Sequence, residues 1–383
     1  MISAITLPRC KSIIIRQMVY HFALTGEVLP VPETECNDVL VTHRALTAIA
    51  QHEGTGATVD VEDCGAAYRF MMALLSVTPG QWLLTGTPRL LQRPAAELIS
   101  VLTSIGASIL QSENGWLISG RSLSADTLTV DAHRSSQFAS ALLLIAPKLG
   151  LQTLHLDPAA IPSSSYIYLT QALTDSRVCI PELPERELVV GRVGDWSAAL
   201  FWYAYAVLHP GQELDLKELS LCSAQGDAVV AQWFADLGVS SVETSDGVRI
   251  SASALRQSIS RTFDVADHLD VVPVMAALAS LLPADFTFLH THNLAYKESD
   301  RAHILAEELA PFAEVVCEED SLRVIGRPRA LWPAEPYAFQ THRDHRLAMA
   351  FSLFGPQAIL DDTSCLRKSL GASSLSQLGR VVR

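Results

Sequence analysis

Residues 94–118 read PAAELISVLTSIGASILQSENGWLI, and the change of hydrophobic period inside them decides the fold class. Leu98, Ile99, Leu102 and Ile105 recur at the three- and four-residue spacing of one helix face. Gly106 stops that helix, and Ala107 to Leu110 reads as a strand. Asn114-Gly115 is a dipeptide suited to turning that strand back into a second one, Trp116 to Ile118. The same order returns twice. Asp227 to Ile250 carries a helix with Val230, Trp233, Phe234 and Leu237, the stop Gly238, and two short strands around Asp246-Gly247. From Glu298 onward, Ile304, Leu305, Leu309 and Phe312 face one way, Val315-Val316 begin a strand, and Glu319-Asp320 turn into Leu322 to Ile325. Three copies of helix, strand, hairpin and strand predict a repetitive α/β protein.

A polar loop precedes each of these helices: Thr85-Gly86-Thr87-Pro88-Arg89 leading to Arg93, Ser223-Ala224-Gln225-Gly226, and Asn293 to Lys297. Helix N-termini present free N–H groups and a partial positive charge, so several of them converging on one cleft would hold an anion. A long apolar helix, Ser197 to Leu208, follows the likeliest domain boundary at Val190 to Asp195.

The bulk numbers say little about a compact anionic ligand but exclude several classes. A length of 383 residues corresponds to about two or three domains, and 49% hydrophobic residues suffice for packed cores. The net charge of −13 would repel a nucleic-acid backbone. Seven cysteines without a C-x-x-C pair argue against a disulfide framework or a structural zinc. Met1-Ile2-Ser3-Ala4 has no basic and apolar leader pattern, and no run of about 18 apolar residues occurs, so a cytoplasmic, membrane-free location is expected. No G-x-G-x-x-G follows a strand, which disfavours a dinucleotide-binding dehydrogenase.

The motifs lie in one order along nearly the whole chain. Leu7-Pro8-Arg9-Cys10-Lys11-Ser12-Ile13-Ile14-Ile15-Arg16 comes first and Asp63-Cys64-Gly65-Ala66-Ala67-Tyr68-Arg69 second. Thr85-Gly86 with Gln92-Arg93-Pro94, Ser135-Ser136-Gln137-Phe138 and Gly194-Asp195 follow. Then come Gln225-Gly226-Asp227, Asp270-Val271-Val272-Pro273, Asn293 with Lys297-Glu298-Ser299-Asp300-Arg301, Asp344-His345-Arg346 and Lys368. In this order they resemble the 5-enolpyruvylshikimate-3-phosphate synthase family. The chain departs from the family pattern at Arg9, Cys10, Ile15, Asp63 and Ala66.

The resemblance implies a two-domain α/β enolpyruvyl transferase fold of repeated β-α-β-α-β-β units with the active site in the interdomain cleft. One domain would span residues 11–193, and the other 1–10 plus 194–383. It implies shikimate 3-phosphate and phosphoenolpyruvate as substrates, no cofactor, no metal, a monomer, and inhibition by glyphosate, for which Gly65 leaves room. Lys11, Gly65, Arg93, Gln137, Arg301, Arg346 and Lys368 would hold phosphoenolpyruvate. Ser12, Arg16, Ser135, Ser136, Ser163, Asn293 and Lys297 would hold shikimate 3-phosphate. Asp270 would act as base, Lys297 and Glu298 would flank the proton transfer, and His345 would assist the leaving phosphate. Two carboxylates and two phosphates cannot be buried without such cations and fixed donors.

Plainer readings exist for single residues. Ser135, Ser136 and Asp270 could be helix caps. Pro94 could open a helix, and Lys297 with Arg301 would repel each other at i, i+4 unless they shared an anion. A UDP-N-acetylglucosamine enolpyruvyl transferase would share the fold but lacks the S-S-Q-F and D-H-R pattern. A catalytically silent relative is the alternative raised by the departures.

Overall fold

The computed structural model describes residues 2–52, 56–157, 161–174, 177–184, 186, 189–254 and 258–381. The chain separates into two compact units, Lys11–Val190, and Met1–Cys10 with Gly191–Arg383.

In the first unit a four-stranded sheet runs Ala57–Asp60, Gly80–Thr85, Gly115–Gly120, Ser108–Ser112. The first pair is parallel and the others antiparallel. The hairpin around Asn114-Gly115 forms one edge, and helix Ala96–Ser104 precedes it in the chain. A parallel pair, Thr127–Asp131 with Thr153–Asp157, flanks helix Gln137–Leu149 and begins another copy of the same order.

The second unit repeats this sheet twice. One copy is Ile2–Thr6, Glu213–Lys217, Gly247–Ala252, Val239–Glu243, and the other is Ile259–Asp264, Ala284–Leu289, Ser321–Gly326, Ala313–Cys317. Ile2–Thr6 pairs in parallel with Glu213–Lys217, so the N-terminal strand completes a sheet whose other members come more than 200 residues later. Tyr337–Phe339 and Ala358–Leu360 form a short parallel pair around helix His345–Ser352.

Each unit has its own core, and sequence explains which helices lie inside it. Trp196–Leu208, WSAALFWYAYAVL, carries no charged residue, and eleven of its thirteen residues are buried. Gly65–Ser76, Gln137–Leu149 and Val272–Leu281 are almost as completely enclosed. A helix that is apolar all round belongs inside, and each large side chain so enclosed contributes about 1.5–3 kcal/mol. The helices first read from the repeat, Ala96–Ser104, Val230–Ala235 and Arg301–Glu308, bury only one face.

Two local readings need correction. The second repeat helix is shorter than its hydrophobic spacing suggested: it begins as a tight turn, Gly226–Val229, and Leu237 falls beyond its end. Its N-cap residue Gln225 cannot cap it, because the amide accepts from Trp196 N (3.0 Å) and donates to the Gly194 carbonyl (2.8 Å). The polar loop at Asn293 is likewise wound, as the turn His292–Tyr296.

Glycines mark the repeat at atomic scale. A Cβ on Gly120 would meet the carbonyls of Leu75 and Thr78, and one on the equivalent Gly326 would meet those of Ala279 and Leu282. Both close a strand against the end of an inner helix. Gly120→Ala is therefore expected to cost about 1–3 kcal/mol through overpacking. That lowers the thermal midpoint by roughly 2–4 °C per kcal/mol for a body of this size. Gly379→Ala, whose Cβ meets nothing within 4 Å, should leave the midpoint unchanged or raise it. Scanning calorimetry of both variants checks this, and an unaltered midpoint in Gly120→Ala would contradict the close approach.

Candidate active site

Most of the expected residues stand at the starts of the inner helices. In residues 11–190, Lys11 and Ser12 open Lys11–Thr25, Gly65 opens Gly65–Ser76, and Gln137 opens Gln137–Leu149 just after Ser135 and Ser136. Ser163 precedes Ser165–Thr174. The other three helices pack on Gln137–Leu149. Arg93, Asn293, Lys297, Glu298 and Arg301 stand instead at or just before the starts of the repeat helices Ala96–Ser104 and Arg301–Glu308. The unsatisfied N–H groups at the inner helix starts supply donors and partial positive charge.

Arg69 ties this region together from a buried position, 2% exposed. Its Nε and Nη2 donate to the Pro94 carbonyl (3.2 and 2.8 Å), and its Nη1 donates to the Gly65 carbonyl (3.1 Å) and to Gln137 Oε1 (2.9 Å). One guanidinium therefore fixes the Gly65 loop, the residue after Arg93, and the amide of Gln137. Pro94 does not open a helix: Ala96 does, and the Pro94 carbonyl is committed to Arg69. A Cβ on Gly65 would overlap the Arg93 guanidinium, so any substitution at Gly65 is felt first by Arg93.

Arg16 is held just as firmly. It donates to Thr170 Oγ1 (2.7 Å), the Ser12 carbonyl (3.0 Å) and Ser140 Oγ (3.3 Å), with the rings of Phe70 and Tyr166 against it at 5.2 and 5.4 Å. Lys11 Nζ pairs with Asp38 at 2.7 Å. Ser135 Oγ accepts from Gln137 N (3.3 Å), whereas Ser136 makes no side-chain cap bond. Ser163 is buried in the left-handed region, φ 60°, a costly backbone for a serine. Cys64 is fully buried and its Sγ accepts from Ala67 N, so this thiol caps a helix.

Residues 191–383 hold an ionic cluster. Asp195 caps Trp196–Leu208, Asp344 caps His345–Ser352, and Asp270 sits in the turn Leu269–Val271 before Val272–Leu281. Asp270 makes no cap, contrary to the plainer reading. Its Oδ1 instead pairs with Arg301 (2.7 Å) and Lys297 (3.2 Å), and its Oδ2 lies 3.9 Å from Arg346. Arg301, 1% exposed, also engages Glu298 (2.7 Å) and Asp344 (2.8 Å). Lys297 precedes the helix Arg301–Glu308, so the two cations are not stacked on one helix, and the anion they share is Asp270 itself.

Burial pushes the Asp270 carboxyl up, but Lys297, Arg301 and Arg346 outweigh it and hold it well below the ordinary carboxylate range. Asp227 is buried, accepts from the Ser197 hydroxyl, and is pushed up, first by burial and then by the nearby Asp270 charge. Arg346 is 4% exposed and its Nε has no hydrogen-bond partner among the described residues. His345 is buried at the first position of its helix with Nδ1 3.9 Å from Asp344. Lys368 is buried at the end of Ser364–Lys368, and Asn293 is half-buried in its turn.

The model of the EPSP synthase (3-phosphoshikimate 1-carboxyvinyltransferase) family matches residues 29–372. The chain belongs to the EPSP synthase family. A 3-phosphoshikimate 1-carboxyvinyltransferase of Bacteroides fragilis is 33% identical over 96% of this chain and 92% of its own length. Another, from Nostoc punctiforme, is 27% identical over 91% and 84%. Among solved structures, EPSP synthase of Acinetobacter baumannii superposes with a TM-score of 0.68 at 18% identity, over 99% of this chain and 95% of that one. The enolpyruvyl transferase NikO of Streptomyces tendae gives 0.64 at 15%, over 99% and 94%. The fold is that of the enolpyruvyl transferases. Among the described residues no helix is long and apolar enough to cross a membrane.

Within this EPSP synthase fold, several supporting residues received no role from sequence. Asp344, Asp227 and Asp195 lay inside quoted motifs, but nothing in the spacing told that their carboxyls meet Arg301, the Ser197 hydroxyl and the Ser197 backbone N–H. Arg69 likewise stood in a motif without a role, and Asp38 and Thr170 carried no signal at all.

Asp227 supplies a pH test. An acid whose folded pKa is raised binds its proton more tightly in the folded state, so its ionisation opposes folding above that pKa and the penalty fades as pH falls. Asp227→Asn is therefore expected to raise the thermal midpoint at pH 8. The advantage should shrink as pH approaches the ordinary carboxyl range near 4. Midpoints measured from pH 4 to 8 check the sign, and a constant deficit would mean that the ionised carboxylate is stabilising.

Proposed function

We propose that this chain transfers the enolpyruvyl group of phosphoenolpyruvate to the 5-hydroxyl of shikimate 3-phosphate, releasing phosphate. This would be a step of the shikimate pathway to aromatic amino acids. The observation that carries the reading is the arrangement around Asp270: an ionised carboxylate held by Lys297 and Arg301, next to the buried Arg346 whose Nε lacks a partner among the described residues. A buried guanidinium N–H without an acceptor is costly, and an anionic substrate group would satisfy it.

The reaction is an addition followed by an elimination. As the 5-hydroxyl oxygen bonds to C2 of phosphoenolpyruvate, its proton leaves to a base and the methylene gains a proton to become a methyl. The tetrahedral adduct then expels phosphate and gives up a methyl proton, which restores the enol double bond. Asp270 takes the hydroxyl proton, with Lys297 and Glu298 flanking the transfer, and His345 helps the departing phosphate. Lys11, Gly65, Arg93, Gln137, Arg301, Arg346 and Lys368 hold phosphoenolpyruvate. Ser12, Ser135, Ser136, Ser163, Asn293 and Lys297 hold shikimate 3-phosphate, with Arg16 acting on that side through the Ser12 carbonyl. Arg69 positions Gly65 and Gln137. The enzyme works as a monomer without a cofactor.

Purified protein is expected to release phosphate only when both substrates are present. Activity on UDP-N-acetylglucosamine in place of shikimate 3-phosphate, or none on either, would overturn the reading in favour of the other transferase or of a silent relative. For the base, Asp270→Asn should lower turnover by about 100-fold or more while shikimate 3-phosphate binding stays within severalfold. Arg301 keeps Glu298 and Asp344 in that variant, so the fold survives the change. Steady-state kinetics with calorimetric binding separates the two quantities, and unaltered turnover removes Asp270 from the chemistry.

A further inference from the structure

A cavity of about 550 Å³ opens at the C-terminal ends of helices Trp196–Leu208, Val272–Leu281 and His345–Ser352, all within residues 191–383. Its size falls in the range of small-molecule sites, roughly 300–1,000 Å³. Leu208, Leu281 and Leu353 contribute to the lining from the helix ends, and the rings of Phe201, Tyr205, Trp332 and Phe354 also line it. Asp195, Asp270 and Asp344 stand at the opposite ends of these helices. At 1.5 Å per residue, the cavity lies roughly 12–20 Å from them.

Its charge is the reverse of the chain's. The protein carries 41 acidic and 28 basic residues, yet no Asp or Glu lines this cavity, whereas Arg327 and Arg329 do. Both are exposed, and neither forms an ion pair among the described residues. Arg329 lies 5.4 Å over the Trp332 ring, and Trp332 Nε1 donates to the Arg327 carbonyl (3.1 Å), which holds both arginines beside one indole. A multiply charged anion would lose too much hydration against these apolar walls. A single carboxylate on a flat ring matches both halves, with ring on ring and a charge-assisted contact to guanidinium.

We propose that this cavity binds a small aromatic carboxylate. The probe is 3-phenylpropionate, with 3-phenylpropionamide as its uncharged counterpart. The reporter is the indole N–H resonance of Trp332, assigned with Trp332→Phe. The carboxylate is expected to shift that resonance saturably, and the amide to bind at least about tenfold more weakly. The double variant Arg327→Gln/Arg329→Gln, changed only at exposed positions, should keep the resonance and likewise weaken the carboxylate at least about tenfold. Absence of a saturable shift up to the solubility limit, equal binding of acid and amide, or equal affinity in the double variant would each overturn the proposal.

Discussion

Arg301 sets the terms for the second unit. A guanidinium enclosed to 1% exposure is tolerable only if carboxylates surround it, and three do: Asp270, Glu298 and Asp344. They come from a turn, a loop and a helix cap that are far apart in sequence, so the ion cluster pins together the starts of Val272–Leu281, Arg301–Glu308 and His345–Ser352. Losing Arg301 would take an ion-pair partner from three acids, one of them fully enclosed. The arrangement is thus weak as a source of stability yet strong as a device for fixing geometry. Asp344 accepts from Arg301, from the Ser299 hydroxyl and from the Arg346 backbone N–H.

The first unit uses the same device with backbone carbonyls in place of carboxylates. Arg69 and Arg16 both place donors on main-chain oxygens and neutral side chains, and these bonds fix the starts of Gly65–Ser76 and Lys11–Thr25 as Arg301 fixes the helix starts of the second unit.

The repeat was legible because it rests on periodicity: the helix, stop glycine and hairpin of residues 94–118 each follow from local rules, and the sheets confirm the order three times. The shortened second helix was not, because Gln225 is diverted by Trp196 and Gly194, a tertiary contact with no local trace. The inner helices gave the opposite difficulty. Their uniform hydrophobicity announces burial, but no hydrophobic stripe indicates which end carries function. Lys11, Gly65, Gln137, Asp270 and Arg346 were singled out by motif order, which did not tell that they stand at helix starts. Pairing partners stayed hidden for a physical reason: Asp38 for Lys11, or Thr170 for Arg16, lies 27 or 154 residues away, and distance in sequence carries no energy.

The ionic balance around Arg346 explains why two nearby carboxyls behave oppositely. Asp195, Asp227 and Asp270 all act on Arg346, and Lys297 and Arg301 pair with Asp270. Cations are therefore concentrated on Asp270, which is driven below its ordinary range, while Asp227, buried and near the Asp270 charge, is driven above. A base with so depressed a pKa is a poor proton acceptor at neutral pH. On the proposed reading, phosphate and carboxylate groups arriving on Lys297, Arg301 and Arg346 compete for the same cations and weaken their hold on Asp270. Anion binding then raises its basicity at the moment a hydroxyl proton must be removed, so the charges that position Asp270 restrain it until both substrates are in place.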